Sequence, residues 1–194
     1  MVDRHEDITR VREERRLKHY YFVRTAFSAV WVALAFSVGQ HSPAGMAALL
    51  VVYPAWDALA NYIDMSRSGG MAENRTQAIN VLVSVMTTVA VIVALRVSMN
   101  WVLGVFGVWA ILSGLLQLGT AVRRWKRFGA QWAMILSGGQ SALVGVLFIV
   151  QAGAPMPPAI AKVAGYAAVG AVYFLVSAFW LSAAQLRGKV ARTP

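Results

Sequence analysis

The chain of 194 residues contains no cysteine. This absence excludes a disulfide framework, a thiolate nucleophile and any cysteine-based zinc or iron-sulfur site. Charged residues are also scarce, at 13% of the chain, which is about half the share in a typical soluble domain. Acidic residues number only 8 against 18 basic ones. The composition therefore excludes an ordinary soluble globular protein, and we expect lipid to be the main solvent of the chain.

Motifs that dictate a chemistry are missing as well. The sequence has no phosphate-binding glycine loop, no H-E-x-x-H helix and no G-x-S-x-G elbow. Its three histidines, His5, His19 and His41, lie far apart and have no carboxylate at metal-ligand spacing. We therefore expect a nonenzymatic protein with no metal site and no cofactor.

Hydrophobic residues make up 58% of the chain, and the mean hydropathy is +0.58. They gather in blocks long enough for a helix to cross a hydrocarbon core of about 30 Å. The sequence thus predicts an all-α polytopic membrane protein, with six transmembrane helices arranged as three repeated helical hairpins. The predicted spans are about 20–38, 45–65, 76–97, 101–122, 130–151 and 160–186.

Basic residues indicate how these spans are oriented, since cytoplasmic flanks collect Lys and Arg. All of the 18 basic residues except Arg96 and Lys162 fall on one side of the predicted spans. We therefore predict that both termini are cytoplasmic. Residues 1–19 would form a basic juxtamembrane helix and residues 187–194 a short tail.

The basic segment 1–19 indicates which partners to expect. It contains several acidic residues and no A-x-A site follows the first apolar block, so we expect no cleavable signal peptide. Its basic residues flank apolar blocks and form no basic face with interleaved aromatics, so nucleic acid is not an expected partner. We expect it to bind the anionic lipid headgroups of the cytoplasmic face. Docking of a membrane-protein partner or formation of a homo-oligomer is the alternative.

The even-numbered spans align without gaps when Arg67, Arg123 and Arg187 are made equivalent. Small residues recur beside the aligned positions and would let helix backbones approach closely. This register predicts one bundle of three similar hairpins. Its columns are Tyr53 with Trp109 and Tyr173, Asp57 with Ser113 and Ser177, and Asn61 with Gln117 and Leu181.

The third hairpin carries the run WAMILSGGQSALVGVLFIVQAGAP, followed by GYAAVGAVYFLVSAFWLSAAQLR. From about Val102 to Arg187 the chain resembles the short repeat of the HdeD family of bacterial membrane proteins. The first hairpin departs from that pattern at Asp57, Asn61 and Asp64. The resemblance implies a multi-pass protein of the bacterial inner membrane, in a family associated with acid resistance and without established enzymatic activity. It supplies no catalytic residue.

The second span carries an unusual polar stripe. Tyr53, Asp57, Asn61 and Asp64 lie on one helical face. A carboxylate within a membrane span costs roughly 2.5–3.5 kcal/mol on insertion scales, so it usually faces the bundle interior and marks a function. These residues, together with Ser113 and Gln117, form the candidate intramembrane polar site.

Asp57 has two interpretations. It is either a proton-binding or sensing group, or a buried structural carboxyl bonded to Asn80, Ser84, Ser113 or Gln117. Asp64 lies at a depth similar to that of Arg24, which predicts an ion pair between them.

Two further features of the sequence predict local structure. Pro54 should kink the second span and free a carbonyl near Leu50. Aromatic residues near the predicted span ends are interpreted as an interfacial belt: Trp101, Trp109, Trp125, Trp132, Tyr20, Tyr21 and Tyr62.

Three functions remain open from the sequence. The first is a nonenzymatic protein of HdeD type, which acts in envelope stress or acid tolerance through partners, lipids or self-association. The alternative is a small transporter or channel for protons or a small solute, with the stripe around Asp57 lining the path. The third is an enzyme acting on lipid, for which Asp57 and Asp64 are the only candidate pair.

Overall fold

A computed structural model of the protein describes residues 2–67, 69–125 and 131–190, and within these ranges the chain forms helices and no strand. The elements are α1 (Val2–Leu34), continued by a π-helical turn (Ala35–Gly39), α2 (Pro43–Ser66), α3 (Gly70–Glu73), α4 (Arg75–Ala94), α5 (Met99–Arg124), α6 (Gln131–Ala152) and α7 (Ala161–Val190).

Six helical segments are long and apolar enough to cross a membrane. The all-α class and the number of candidate spans are thereby confirmed for the described chain, which has the architecture of a multi-pass membrane protein. The segments are Arg15–Gly39, Pro43–Ser66, Arg75–Ala94, Met99–Arg123, Trp132–Ala152 and Ala161–Leu186.

Local sequence signals explain where two of these helices begin. Ser42 precedes α2, and its hydroxyl accepts a hydrogen bond from the Gly45 amide at 3.1 Å. Ser98 precedes α5 and accepts from the Trp101 amide at 3.3 Å. A serine in this position satisfies an amide that the first helical turn leaves without a partner.

The first and last spans lie side by side. The Lys18 ammonium donates to the Gln185 side chain at 2.9 Å, and Arg16 donates to the Arg67 carbonyl at the same end of the bundle. We call this the terminal end. At the opposite end, which we call the far end, the Asn100 amide donates to the Ala152 carbonyl at 3.0 Å.

The six spans form a closed ring. Each span packs against the next span in the chain, and α7 packs against α1. The most extensive contacts join α5 to α6, α7 to α1 and α2 to α4, while α1 and α2 touch little. The predicted hairpins are therefore not the units that pack most closely, since the strongest contacts form between one hairpin and the next.

Two pairs of glycines explain the close contact of α5 with α6. A Cβ added to Gly114 would lie 2.5 Å from the Gly138 carbonyl oxygen. A Cβ on Gly145 would likewise lie 2.5 Å from the Gly107 carbonyl oxygen. In a membrane, small residues at such contacts let two backbones pack directly on each other.

The far half of the ring is filled by one apolar cluster to which every span contributes. Its buried members are Trp31, Ala35, Leu50, Val91, Ala94, Val102, Leu103, Phe106, Trp109, Phe148, Ile160, Val163, Ala164 and Ala167. A smaller cluster of Leu17, Tyr21, Ala178 and Leu181 joins α1 to α7 towards the terminal end. The core is therefore apolar at the far end and leaves the interior of the terminal half to polar residues.

Several helix bounds differ from the predicted spans. The helix expected over residues 1–19 runs without interruption into the first span as part of α1. The third span ends at Ala94, before a turn over residues 95–97. Two of the basic residues on the predicted cytoplasmic side, Lys126 and Arg127, lie outside the described residues, as do residues 191–194 of the predicted tail.

The structure also bears on two local predictions. Helix α2 continues through Pro54, and the Leu49 carbonyl nearby accepts a hydrogen bond from the Trp31 indole at 2.8 Å. Only some of the aromatic residues predicted to form the interfacial belt are exposed on the surface of the bundle. Trp101 is 64% exposed, whereas Trp109 and Tyr21 are buried in the bundle interior at 4% and 2%.

Candidate functional site

An ion pair joins α1 to α2 inside the ring. The Arg24 guanidinium contacts Asp57 Oδ1, and Asp57 is only 5% exposed. The predicted pair of Arg24 with Asp64 is therefore corrected, because Arg24 reaches the carboxylate about two turns deeper on the same helix. Each charge in this pair compensates the other, which lowers the cost of burying both.

Neighbouring side chains complete the surroundings of Asp57. Its Oδ2 accepts hydrogen bonds from Ser84 Oγ at 2.7 Å and from Asn61 Nδ2 at 3.0 Å. The Ser84 hydroxyl in turn accepts from Trp109 Nε1 at 3.0 Å. Among the partners predicted for a structural Asp57, Ser84 is thus the residue that binds it. The network ties α1, α2, α4 and α5 together.

Aromatic rings surround the Arg24 guanidinium. Its central carbon lies 4.5 Å from the centre of the Phe174 ring and 5.7 Å from that of Tyr20. Arg24 also donates to the Tyr20 hydroxyl at 3.1 Å. Cations within about 6 Å of a ring face are attracted by its quadrupole. Arg24 is thereby held by α1, α2 and α7 together.

Asp64 has a separate environment nearer the terminal end. It is 5% exposed, and Gln77 of α4 donates a hydrogen bond to its Oδ2. The second acidic residue of the predicted stripe therefore contributes to the contact between α2 and α4.

A cavity of about 100 Å³ lies inside the terminal half of the ring. One buried water needs roughly 10–15 Å³ by a comparable measure, and an apolar cavity of about 150 Å³ holds benzene. All six residues of the predicted polar site line it. The complete lining is Tyr20, Tyr21, Arg24, Tyr53, Asp57, Asn61, Asp64, Thr76, Gln77, Asn80, Trp109, Ser113, Leu116, Gln117, Thr120, Met134, Ser137, Gln140, Ser141, Tyr166, Val169, Gly170, Tyr173 and Phe174.

Two buried polar atoms in this lining have no hydrogen-bond partner among the described residues. They are Asn80 Oδ1 on α4 and Ser113 Oγ on α5. Ser177 Oγ on α7 is also buried without a partner, yet Ser177 does not line the cavity. Ser113 and Ser177, which the predicted register aligns with Asp57, are therefore not among the described residues that bind it.

The structure reveals equivalent serine–aromatic contacts in the second and third hairpins. Ser84 bonds to Trp109, and Ser141 bonds to the Tyr166 hydroxyl at 2.7 Å. In the first hairpin, Ser28 and Tyr53 occupy the corresponding positions, and Ser28 is likewise buried. The serine precedes its aromatic partner by 25 residues in the second and third pairs, and residues 28 and 53 have the same spacing.

These contacts correct the repeat register in the third hairpin. Trp109 packs edge-on against Tyr53, with ring centres 5.7 Å apart, and against Tyr166 at 6.4 Å. The aromatic column therefore contains Tyr166 in place of Tyr173, which lies seven residues later in the sequence. Leu181, predicted to align with Asn61, instead packs in the apolar cluster between α1 and α7.

Sequence reasoning named Ser84 as a possible partner of Asp57 but missed Ser28 and Ser141, and it missed the spacing that these three serines share. Ser28, Ser84 and Ser141 are all buried, and each is followed by an aromatic residue at the same spacing. That spacing was present in the sequence and would have identified both the repeat and its register.

Comparisons with known proteins identify part of the repeat. Residues 81–150 match the family described as a short repeat of unknown function (DUF308). The matched stretch runs from α4 through α5 into α6 and overlaps the stretch that resembles the HdeD family. No curated protein and no solved structure matches the chain. The match and the six apolar helices indicate a membrane protein of unknown function, and the HdeD assignment stays a prediction.

Proposed function

We propose that this chain is a nonenzymatic membrane protein that binds a small polar solute in the central cavity and carries it across the bilayer. The cavity is the observation that supports the proposal, because its polar lining comes from all six apolar spans. Polar side chains within a membrane are costly and usually line a solute pathway or face the bundle interior.

The cavity differs between its two ends. Towards the terminal end the lining reaches Thr76 and Thr120, close to the ends of their helices. Towards the far end it stops at Trp109, which also belongs to the apolar cluster. Carriers alternate between a site open to one side and a site open to the other. We interpret the structure as the state open at the terminal end.

The sidedness of the proposal follows from the basic residues. Lys and Arg collect on cytoplasmic flanks, so we assign the terminal end to the cytoplasmic face of a bacterial inner membrane. Transport then requires the apolar cluster at the far end to separate. Large apolar side chains such as Leu143 and Val150, each 69% exposed, support contact of the outer surface with lipid.

The ion pair supports a positioning role for Asp57. Asp57 accepts from Arg24, Ser84 and Asn61 at once, and all three residues form or adjoin the cavity wall. These contacts favour a structural role, in which Asp57 holds the cavity wall in place. They do not favour exchange of protons between Asp57 and the solvent.

A role in envelope stress or acid tolerance has less support. That role rests on the resemblance to the HdeD family alone. No contact among the described residues favours it over solute binding.

A flux assay in proteoliposomes tests the proposal. We would measure protons with an internal pH dye, and the uptake of labelled methylguanidinium and labelled urea. At least one probe should enter faster than into protein-free liposomes. Ser113→Trp should abolish that flux, because the indole would fill the cavity that Ser113 lines.

The matched control is Leu115→Trp, which adds the same side chain two residues away on α5. Leu115 is 54% exposed and does not line the cavity, so this variant should retain wild-type flux. Both variants would first be checked for monodisperse elution in detergent. Absence of flux for every probe, or equal flux in folded Ser113→Trp, would overturn the proposal.

A further inference from the structure

The buried ion pair has two equivalents elsewhere in the ring. In the register set by the serine–aromatic contacts, Arg24 corresponds to Asn80 and then to Ser137. Asp57 corresponds in the same way to Ser113 and then to Gly170. The partners of the ion pair are 33 residues apart, and so are positions 80 and 113, and positions 137 and 170. All six residues line the cavity.

The three pairs differ in what they leave unbonded. In the first repeat, Arg24 and Asp57 bond to each other and to neighbours. In the second repeat, Asn80 Oδ1 and Ser113 Oγ are buried and have no partner in the part of the chain that the structure describes. The third repeat offers one hydroxyl, that of Ser137, and a glycine. The buried side-chain atoms of these pairs that lack a hydrogen-bond partner among the described residues therefore lie in the second repeat.

A buried polar atom without a partner is destabilising, and native proteins rarely keep one without a reason. Asn80 and Ser113 occupy the positions that correspond to Arg24 and Asp57, and both line the cavity. Two such atoms together point to a ligand that supplies their missing hydrogen bonds. An amide oxygen accepts a hydrogen bond, and a serine hydroxyl both donates and accepts. This pair fits a group that is itself both donor and acceptor.

We infer that Asn80 and Ser113 form the docking site for the uncharged polar end of the solute, a hydroxyl or an amide. This inference rests on the proposed function and names its substrate class. The solute is a neutral molecule smaller than benzene, such as a short polyol or a urea-like amide.

The charges of the cavity argue for a neutral solute over an ion. Asp57 is already bound to Arg24, so it offers a cation little unused attraction. Arg24 in turn occupies the aromatic faces of Phe174 and Tyr20, where a cationic ligand would otherwise bind. Gln77 donates to Asp64, the other carboxylate of the lining. An anion would have to compete with Asp57 for Arg24.

The chain lacks cysteine, so no native cysteine has to be replaced before an introduced one is labelled to test docking. In Ser113→Cys, a methanethiosulfonate reagent should modify the cavity thiol. Urea or glycerol at high concentration should slow that reaction, whereas methylguanidinium chloride should not. Protection by methylguanidinium alone would overturn the inference.

The flux assay, extended to labelled glycerol, supplies an independent readout. Asn80→Ala and Ser113→Ala should each lower urea and glycerol flux about tenfold, as the loss of one hydrogen bond predicts. Both should remain as stable as wild type or become more stable, because Asn80 Oδ1 and Ser113 Oγ have no partner among the described residues. Ser177→Ala removes an equally buried unpartnered hydroxyl outside the cavity and should leave flux unchanged.

The outcomes separate the two proposals. Flux of protons or methylguanidinium without flux of urea or glycerol would overturn the neutral-solute inference and leave the carrier proposal standing. Absence of every flux would overturn the carrier proposal, and the protection assay would then decide the docking site by itself. Unchanged urea flux in folded Asn80→Ala and Ser113→Ala would overturn the docking site.

Discussion

Gly114 of α5 and Gly138 of α6 touch through their backbones, since a Cβ on Gly114 would stand 2.5 Å from the Gly138 carbonyl oxygen. A methyl group there must push the helices apart. Gly114→Ala should therefore lower the free energy of unfolding by about 1–3 kcal/mol, the usual cost of overpacking. Thermal denaturation in a mild detergent, followed by gel filtration, would measure the loss.

Gly119 on the same helix provides the matched control for that substitution. Nothing lies within 4 Å of a Cβ added there, so Gly119→Ala should be neutral or stabilising by up to about 1 kcal/mol through helix propensity. Equal destabilisation by the two substitutions would show that the glycine contact does not hold α5 against α6.

The Arg24–Asp57 pair should behave as a coupled unit. Arg24→Met or Asp57→Leu alone leaves an uncompensated buried charge, which typically costs about 3–5 kcal/mol. The double variant should lose clearly less than the sum of the two, because neither charge is then left alone. A double-mutant cycle on detergent unfolding measures this coupling, and additive losses would argue against a direct ion pair.

Ser84 should matter more than a hydroxyl that bonds only within its own helix. Ser84→Ala removes the acceptor of the Trp109 indole and a donor to Asp57, which should cost about 1–3 kcal/mol because buried groups lose their partners. Ser37 bonds only to the Ala33 carbonyl and is exposed, so Ser37→Ala should change stability little. Similar melting temperatures for the two variants would contradict the central role of Ser84.

The opening of the cavity predicts which cysteines react. A membrane-impermeant thiol reagent should label Ser113→Cys from the side of the terminal end and leave Ser177→Cys unlabelled, since Ser177 is fully buried outside the cavity. The measurement uses vesicles of known orientation. Labelling of Ser113→Cys only from the opposite side would reverse the assigned opening, and equal labelling of both variants would contradict the cavity.

The positions of the six spans could be predicted because they depend on local features. Long apolar blocks between short polar segments set the helix ends to within a few residues, and the difference is largest at the first span. There the helix extends through the whole basic segment to Val2, because nothing in residues 2–19 interrupts it.

The partner of Arg24 could not be predicted by depth alone. Residue counting placed Arg24 and Asp64 at similar heights, but the side chain of Arg24 is directed inward by the packing of α1 on α7, where Phe174 lies against it. Which carboxylate it reaches depends on the rotation of each helix about its axis, and that is a property of the assembled ring.

The error in the third repeat has an equally physical origin. The predicted register was anchored on arginines at the helix ends, whose positions follow the membrane interface and the length of each span. The contact between Ser141 and Tyr166 shows that residues inside the ring keep a register of their own. Buried hydrogen-bonded pairs are therefore better anchors for such repeats than terminal charges.

The contact between α1 and α7 has a consequence for biogenesis. The first span packs mainly on the last one and only weakly on the second. During synthesis the main partner of α1 is therefore made only after most of the chain. Until then Arg24 lacks Phe174, and Tyr21 lacks the ring that packs against it. If the spans enter a membrane one after another, Arg24 would have only its partners on α1 and α2 during that interval, and the ring would close last, when α7 arrives.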